Sequence, residues 1–106
     1  MAGWPYASVA VFTFDSGIVT VPTSFTAVPN SPTGACWLNA IRITSDVDET
    51  VLVSLKDGNS KLLLDQFPVP AREVRTVPFE SEPGEGNYQW LSSLSSGVTA
   101  RMTGWS

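Results

Sequence analysis

The chain has 106 residues, 42% of them apolar and 15% charged, with ten Asp and Glu against six Lys and Arg for a net charge of −4. That length implies one domain, residues 1–106, large enough to bury a core without staples. Six scattered cations exclude the basic footprint of a nucleic-acid binder, and a single cysteine, Cys36, with no histidine excludes an intramolecular disulfide, a thiol–histidine pair and a zinc site.

Residues 1–5, Met-Ala-Gly-Trp-Pro, read as a short N-terminal arm whose Trp4 either folds back on the core or docks on a partner. They carry neither the basic nor the apolar region of a signal peptide. No apolar run approaches the ~20 residues of a membrane helix. The expectation is a soluble chain made in a cytoplasm and not secreted.

Residues 6–14 alternate as a strand, with Val9, Val11 and Thr13 on one face and Ala10, Phe12 and Phe14 on the other. Asp15-Ser16-Gly17 predicts a turn, and residues 18–21 return as the second strand of a hairpin. Pro22, Pro29, Pro32 and Gly34 put residues 22–34 at an edge or in a loop, since proline gives no ladder donor. A brief edge strand fits within 25–28. Residues 37–44 predict a strand with Trp37, Asn39, Ile41 and Ile43 on one face. After the polar connection 45–49, residues 50–56 alternate with Val51, Val53 and Leu55 inward. Asp57-Gly58-Asn59 predicts a hairpin, because Gly and Asn tolerate positive φ, and 61–66 return with Leu62 and Leu64 inward. Pro68-Val69-Pro70-Ala71 breaks the pattern and hands the chain to the opposite sheet. In the strand 72–79, Val74 and Val77 are three apart, which a β-bulge near Arg75 reconciles. Residues 80–87 form an acidic, glycine-containing loop. Tyr88 and Trp90 share a face of the strand 88–92. Residues 93–97 turn, and Val98, Ala100 and Met102 mark the last inward face.

About eight short strands with no helical stripe make the fold all-β: an antiparallel two-sheet β-sandwich, jelly-roll-like in its simplest closure. An immunoglobulin-like sandwich is the alternative, without the Cys-Trp-Cys spacing of true immunoglobulin domains.

Chemistry is sparsely signalled. Asp46, Asp48 and Glu49 are dense enough to suggest calcium but lack the glycine and distal glutamate of a calcium loop, so they read as a solvated turn. No serine sits in a Gly-x-Ser-x-Gly elbow, and no glycine-rich phosphate loop is present. Cys36 reads as a small buried hydrophobe. The expectation is a protein that is not an enzyme and has no catalytic residue, cofactor or metal. Trp4, Trp37, Tyr88, Trp90 and Trp105 remain, either as core and interface packing or as a platform for sugar rings.

The segments IRITSDVDETVLVSLKDG, LLLDQFPVPA, VPFESEPGEGNYQW and LSSLSSGVTARMTGW resemble small structural proteins of tailed bacteriophage virions. The similarity lies in a strand pair around Lys56-Asp57-Gly58, the Val69-Pro70-Ala71 connection, a glycine-containing loop, an aromatic strand, a serine-rich turn and the ending from Gly97-Val98 to Gly104-Trp105. It covers about residues 38–105. It implies a non-enzymatic, multi-copy protein of the virion: a capsid decoration or cement protein, or a neck, tail or fibre component. Its implied partners are the major capsid protein or other virion proteins and further copies of itself, often as trimers, with no nucleic acid and no membrane. Exposure then singles out contact residues: Trp4, Pro5 and Tyr6 in the arm; Pro29, Asn30 and Pro32 in the proline loop; Glu80, Glu82 and Glu85 in the acidic loop; and Trp105. The rival of another class is a carbohydrate-binding β-sandwich module.

Overall fold

The structure, a computed structural model, describes residues 13–106. The arm, with Trp4, Pro5 and Tyr6, and residues 6–12 of the strand expected over 6–14 lie outside the described residues. Nine strands follow: β1 (Thr13–Asp15), β2 (Val19–Thr20), β3 (Thr26–Ala27), β4 (Ala35–Ser45), β5 (Val51–Lys56), β6 (Leu62–Val69), β7 (Val74–Glu85), β8 (Gln89–Ser92) and β9 (Val98–Trp105). One sheet has the order β1-β9-β4-β7, with β2 also on β9; the other has the order β3-β8-β5-β6.

The pairings nest around one tight turn. β5 pairs with β6, β4 with β7, β3 with β8, and β1 and β2 with β9, all antiparallel. This is a single long ribbon folded at residues 57–61. Rolling the ribbon adds two new ladders, β4 with β9 and β5 with β8, and divides it into two sheets. That winding is the jelly roll anticipated from the sequence. The Pro70–Glu73 turn does carry the chain between the sheets.

Alternation builds the core. Leu38, Ile41 and Ile43 of β4 and Val98, Ala100 and Met102 of β9 are buried with Val51, Val53 and Leu55 of β5, Trp90 of β8 and Val69 of β6. Burying each large side chain stabilises the fold by about 1.5–3 kcal/mol. Trp90 and Tyr88 are the largest of the fully buried side chains.

Bulges account for most departures from the sequence reading, because one inserted residue reverses the faces of everything beyond it. β1 and β2 are not a hairpin. Asp15 lies opposite Thr103 and Val19 opposite Ala100, so both run the same way along β9 as one edge strand. Four steps on it match three on β9. Gly17 supplies the bulge with φ 73°, its N–H donating to Asp15 Oδ1 at 2.8 Å.

On β4 the bulge is Asn39: two steps from Leu38 to Ala40 match one from Gly104 to Thr103. Cys36 and Leu38 therefore face inward before it and Ile41 and Ile43 after it, while Trp37 and Asn39 face out. The single face expected for Trp37, Asn39, Ile41 and Ile43 is split. On β7 the register is unbroken from Val74 to Pro78, so there is no bulge at Arg75; Val74 faces solvent. The bulge lies at Glu80-Ser81, with φ 51° and 66°, and β7 runs on through most of the expected acidic loop. On β6 the register slips at Leu63 and near Gln66, leaving Leu64 buried but Leu62 exposed. In the β5–β6 turn the positive φ falls on Ser60 rather than on Gly58 or Asn59. Gly58 is needed for a different reason: a Cβ there would lie 2.2 Å from the Gly86 carbonyl oxygen.

Candidate interaction surface

The buried polar groups at one end of the sandwich fasten loops. Cys36 Sγ lies 3.0 Å from Tyr88 Oη, both buried. Burial pushes the thiol and the phenol above their usual ranges, so both stay protonated at neutral pH. Asp57 Oδ1 accepts from the N–H groups of Asn59 and Lys61, each at 2.9 Å. Gly58 N–H donates to the Glu85 carbonyl, Gly86 N–H to Gly34 and Asn87 N–H to Pro32. Tyr88 N–H donates to Ser31 Oγ at 3.0 Å. Chemically this arrangement can hold shape. It ties the hairpin turn, the proline loop and the end of β7 into one unit.

That unit gathers much of the contact set anticipated from the sequence. Pro32 accepts a backbone bond, Pro29 is half-buried, and Asn30, at φ 61°, donates from Nδ2 to the Asp15 carbonyl at 3.1 Å. Glu82 reaches across to Lys61 in the turn between β5 and β6 at 3.8 Å. Glu85 is half-buried and Glu80 is exposed. At the opposite end Arg72 bridges Asp48 at 2.6 Å and Asp46 at 3.4 Å, with all three exposed. No three His, Cys, Asp or Glu side chains among the described residues come together as a metal ligand set.

The outer face of the β1/β2-β9-β4-β7 sheet is different in kind. Register places Thr13, Trp105, Trp37 and Pro83 in one row across it. A second row holds Arg101, Arg42 and Thr76, and a third Thr20, Thr99, Thr44 and Val74. Ile18 is 72% exposed, Val74 41% and Trp37 39%. The Asn39 bulge opens a shallow hollow of about 350 Å³ bordered by Thr13, Asp15, Asn39, Thr103 and Trp105, where Asn39 Nδ2 donates to Thr103 Oγ1 at 3.2 Å. A smaller one, about 40 Å³, lies between Ile18, Arg42, Thr44, Thr99 and Arg101.

Charge on this face is uneven. Arg101 grips Asp15 through two nitrogens, and that guanidinium, helped by the Gly17 N–H, holds the Asp15 carboxyl at about 2. Arg42 stands directly opposite Arg101 and has no ion-pair partner among the described residues. The other cations are matched: Lys61 by Glu82, Arg72 by Asp46 and Asp48, Arg75 by Glu73, and Lys56 by the Phe25 ring at 4.2 Å.

Sequence reasoning placed Trp105 in the contact set but missed Arg42, Ile18, Val74 and the outward Trp37. The signal for Arg42 was present: it alternates with Ile41 and Ile43. For Trp37 it was the adjacent Leu38, since only one of two neighbours on a strand faces the core.

No protein-family model matches the chain, and no curated protein matches it. Among solved structures it is similar to a chain in the structure of infectious bursal disease virus, Gx strain, with a TM-score of 0.43 and 6% sequence identity over 91% of this chain. The match spans 30% of that chain's length.

Proposed function

We propose that this chain is a non-enzymatic structural protein of a tailed-bacteriophage virion, carried on the head as a decoration or cement protein that binds and stabilises the assembled shell. The observation that carries this reading is the outer face of the β1/β2-β9-β4-β7 sheet, where Trp37, Ile18 and Val74 are exposed around two arginines. Arginine and aromatic side chains are enriched where proteins meet. The polar clusters elsewhere are committed to holding loops. The resemblance over residues 38–105 and the jelly-roll winding, which capsid domains share with lectins, support the same reading by analogy.

The test is direct. Tailed-phage particles assembled with and without the chain are compared by mass spectrometry, heat stability and electron cryomicroscopy. The expected result is many copies on the head and a higher disruption temperature when the chain is present. Density at the neck, tail or fibre moves the assignment there. Absence from purified particles ends it.

One observation favours a second reading, a carbohydrate-binding module. Trp37 and Trp105 are cross-strand neighbours on this face, and Trp105 borders the 350 Å³ hollow with the polar side chains of Asn39, Thr103 and Asp15. A sugar offers C–H faces to aromatic rings and hydroxyls to such groups. This reading predicts glycan-array binding that Trp37→Ala and Trp105→Ala abolish; a silent array removes it.

A further inference from the structure

Two exposed side chains of this sheet, Arg42 and Glu80, lack the partners their charge calls for; Glu85, half-buried at the end of β7, is also without an ion pair among the described residues. Arg42 projects from the middle of the outer face without a carboxylate, although all ten Asp and Glu of the chain lie within the described residues. Glu80, exposed in the β7 bulge at the rim of the face, has no cation among the described residues, which include all six Lys and Arg. Within one copy they are kept apart. Thr76 is the residue opposite Arg42, and Glu80 lies four residues further along, about 13 Å at the strand rise of 3.3 Å per residue.

We propose that two copies of this chain pack through the outer faces of their β1/β2-β9-β4-β7 sheets about a twofold axis, the Arg42 of each taking the Glu80 carboxylate of the other. A twofold contact is self-complementary, so an unmatched cation and an unmatched carboxylate set apart on one face pair twice. An axis midway between them keeps the two Arg42 side chains from meeting. Packed sheets lie about 10 Å apart, a gap that arginine and glutamate span together. Ile18, Trp37 and Val74 leave water in the same contact.

The sheet edges make strand addition the poorer route. β7 carries Pro78, Pro83 and the Glu80-Ser81 bulge, and β6 carries Pro68. Prolines and bulges on edges block pairing with another chain. The inference rests on the structural-protein reading and assigns the face that carries it to contact between copies rather than to the shell, and it replaces the threefold association the family resemblance implies with a twofold one.

Sedimentation equilibrium of the full chain over a concentration range tests it. A reversible dimer is expected. Arg42→Glu and Glu80→Arg should each raise its dissociation constant at least about tenfold, since each sets like charges against one another. The double variant R42E/E80R should restore it. Urea unfolding establishes that each variant folds. A monomer at every concentration, a trimer, single substitutions without effect, or a double variant that fails to recover would overturn the pairing. Particle binding is scored separately. A monomer that still decorates particles overturns the pairing and leaves the structural-protein reading intact, whereas a dimer never found on particles does the reverse.

Discussion

Ser16, Ser45, Ser54 and Ser92 are buried. Three of them repair backbone that the sheets leave unpaired. Ser16 Oγ accepts from Met102 N–H at 2.8 Å beside the Gly17 bulge, Ser54 Oγ from Gln66 N–H at 3.0 Å beside the β6 bulge, and Ser92 Oγ from Leu94 N–H at 3.1 Å in the turn before β9. Ser45 Oγ alone has no partner among the described residues. Ser16→Ala should therefore cost about 1–3 kcal/mol by orphaning a buried N–H, while Ser45→Ala should be neutral or stabilising by up to about 1 kcal/mol; urea midpoints at constant slope separate the two. Cys36 and Tyr88 make a different claim. Both have folded-state pKa values raised above their ordinary 9.0 and 10.0. Above about pH 9 the unfolded chain loses protons that the folded chain keeps, so stability should fall as pH rises. Tyr88→Phe should flatten that decline above pH 10, which chemical denaturation across an alkaline series reads directly. The inward faces of β5, the Tyr88–Trp90 segment and β9 were legible, whereas those of β4, β6 and β7 were not. Val51, Val53 and Leu55 announce themselves by alternation, as do Val98, Ala100 and Met102. A buried serine does not, because its role depends on where a partner strand breaks register.

At the level of the element, what the sequence hid was the bulges. The Asp15-Ser16-Gly17 signal is the same whether the chain reverses or carries straight on with one residue extra. Only the partner decides, and here β9 runs past both sides of it. Asn39 and Glu80-Ser81 carry no glycine or proline to betray them, and so Trp37, Val74 and the acidic loop were misassigned. The glycines divide by what surrounds them. A Cβ at Gly86 would lie 2.0 Å from the Pro32 carbonyl oxygen, whereas one at Gly17 meets nothing within 4 Å. Gly17→Ala should cost only about 1 kcal/mol, for its positive φ. Gly86→Ala has to displace the proline loop. It should destabilise the fold several-fold more and raise hydrogen exchange at Asn87, whose N–H is bonded to Pro32.

Across the whole molecule, both long edge strands are blunted, β7 by two prolines and a double bulge and β6 by Pro68. Replacing Pro78 and Pro83 together by threonine returns two donors to the β7 edge and should bring on turbidity and thioflavin binding at concentrations where the parent chain stays clear. The sequence conveyed the sandwich and its winding because strand number and turn chemistry carry that information. It did not convey which face stays open, since that follows from register. The nested ribbon also sets an order of events in time. Of the nine described strands β9 is synthesised last, yet it lies inside its sheet, with β1 and β2 on one side and β4 on the other. Until it emerges those strands have no ladder between them, and β4 shows an unsatisfied edge. At about 5–20 residues per second the wait is brief, but no part of this sheet beyond the β4–β7 ladder can set early. The molecule commits to its fold only after Trp105 has left the ribosome, in a closure dominated by pairings between distant parts of the chain.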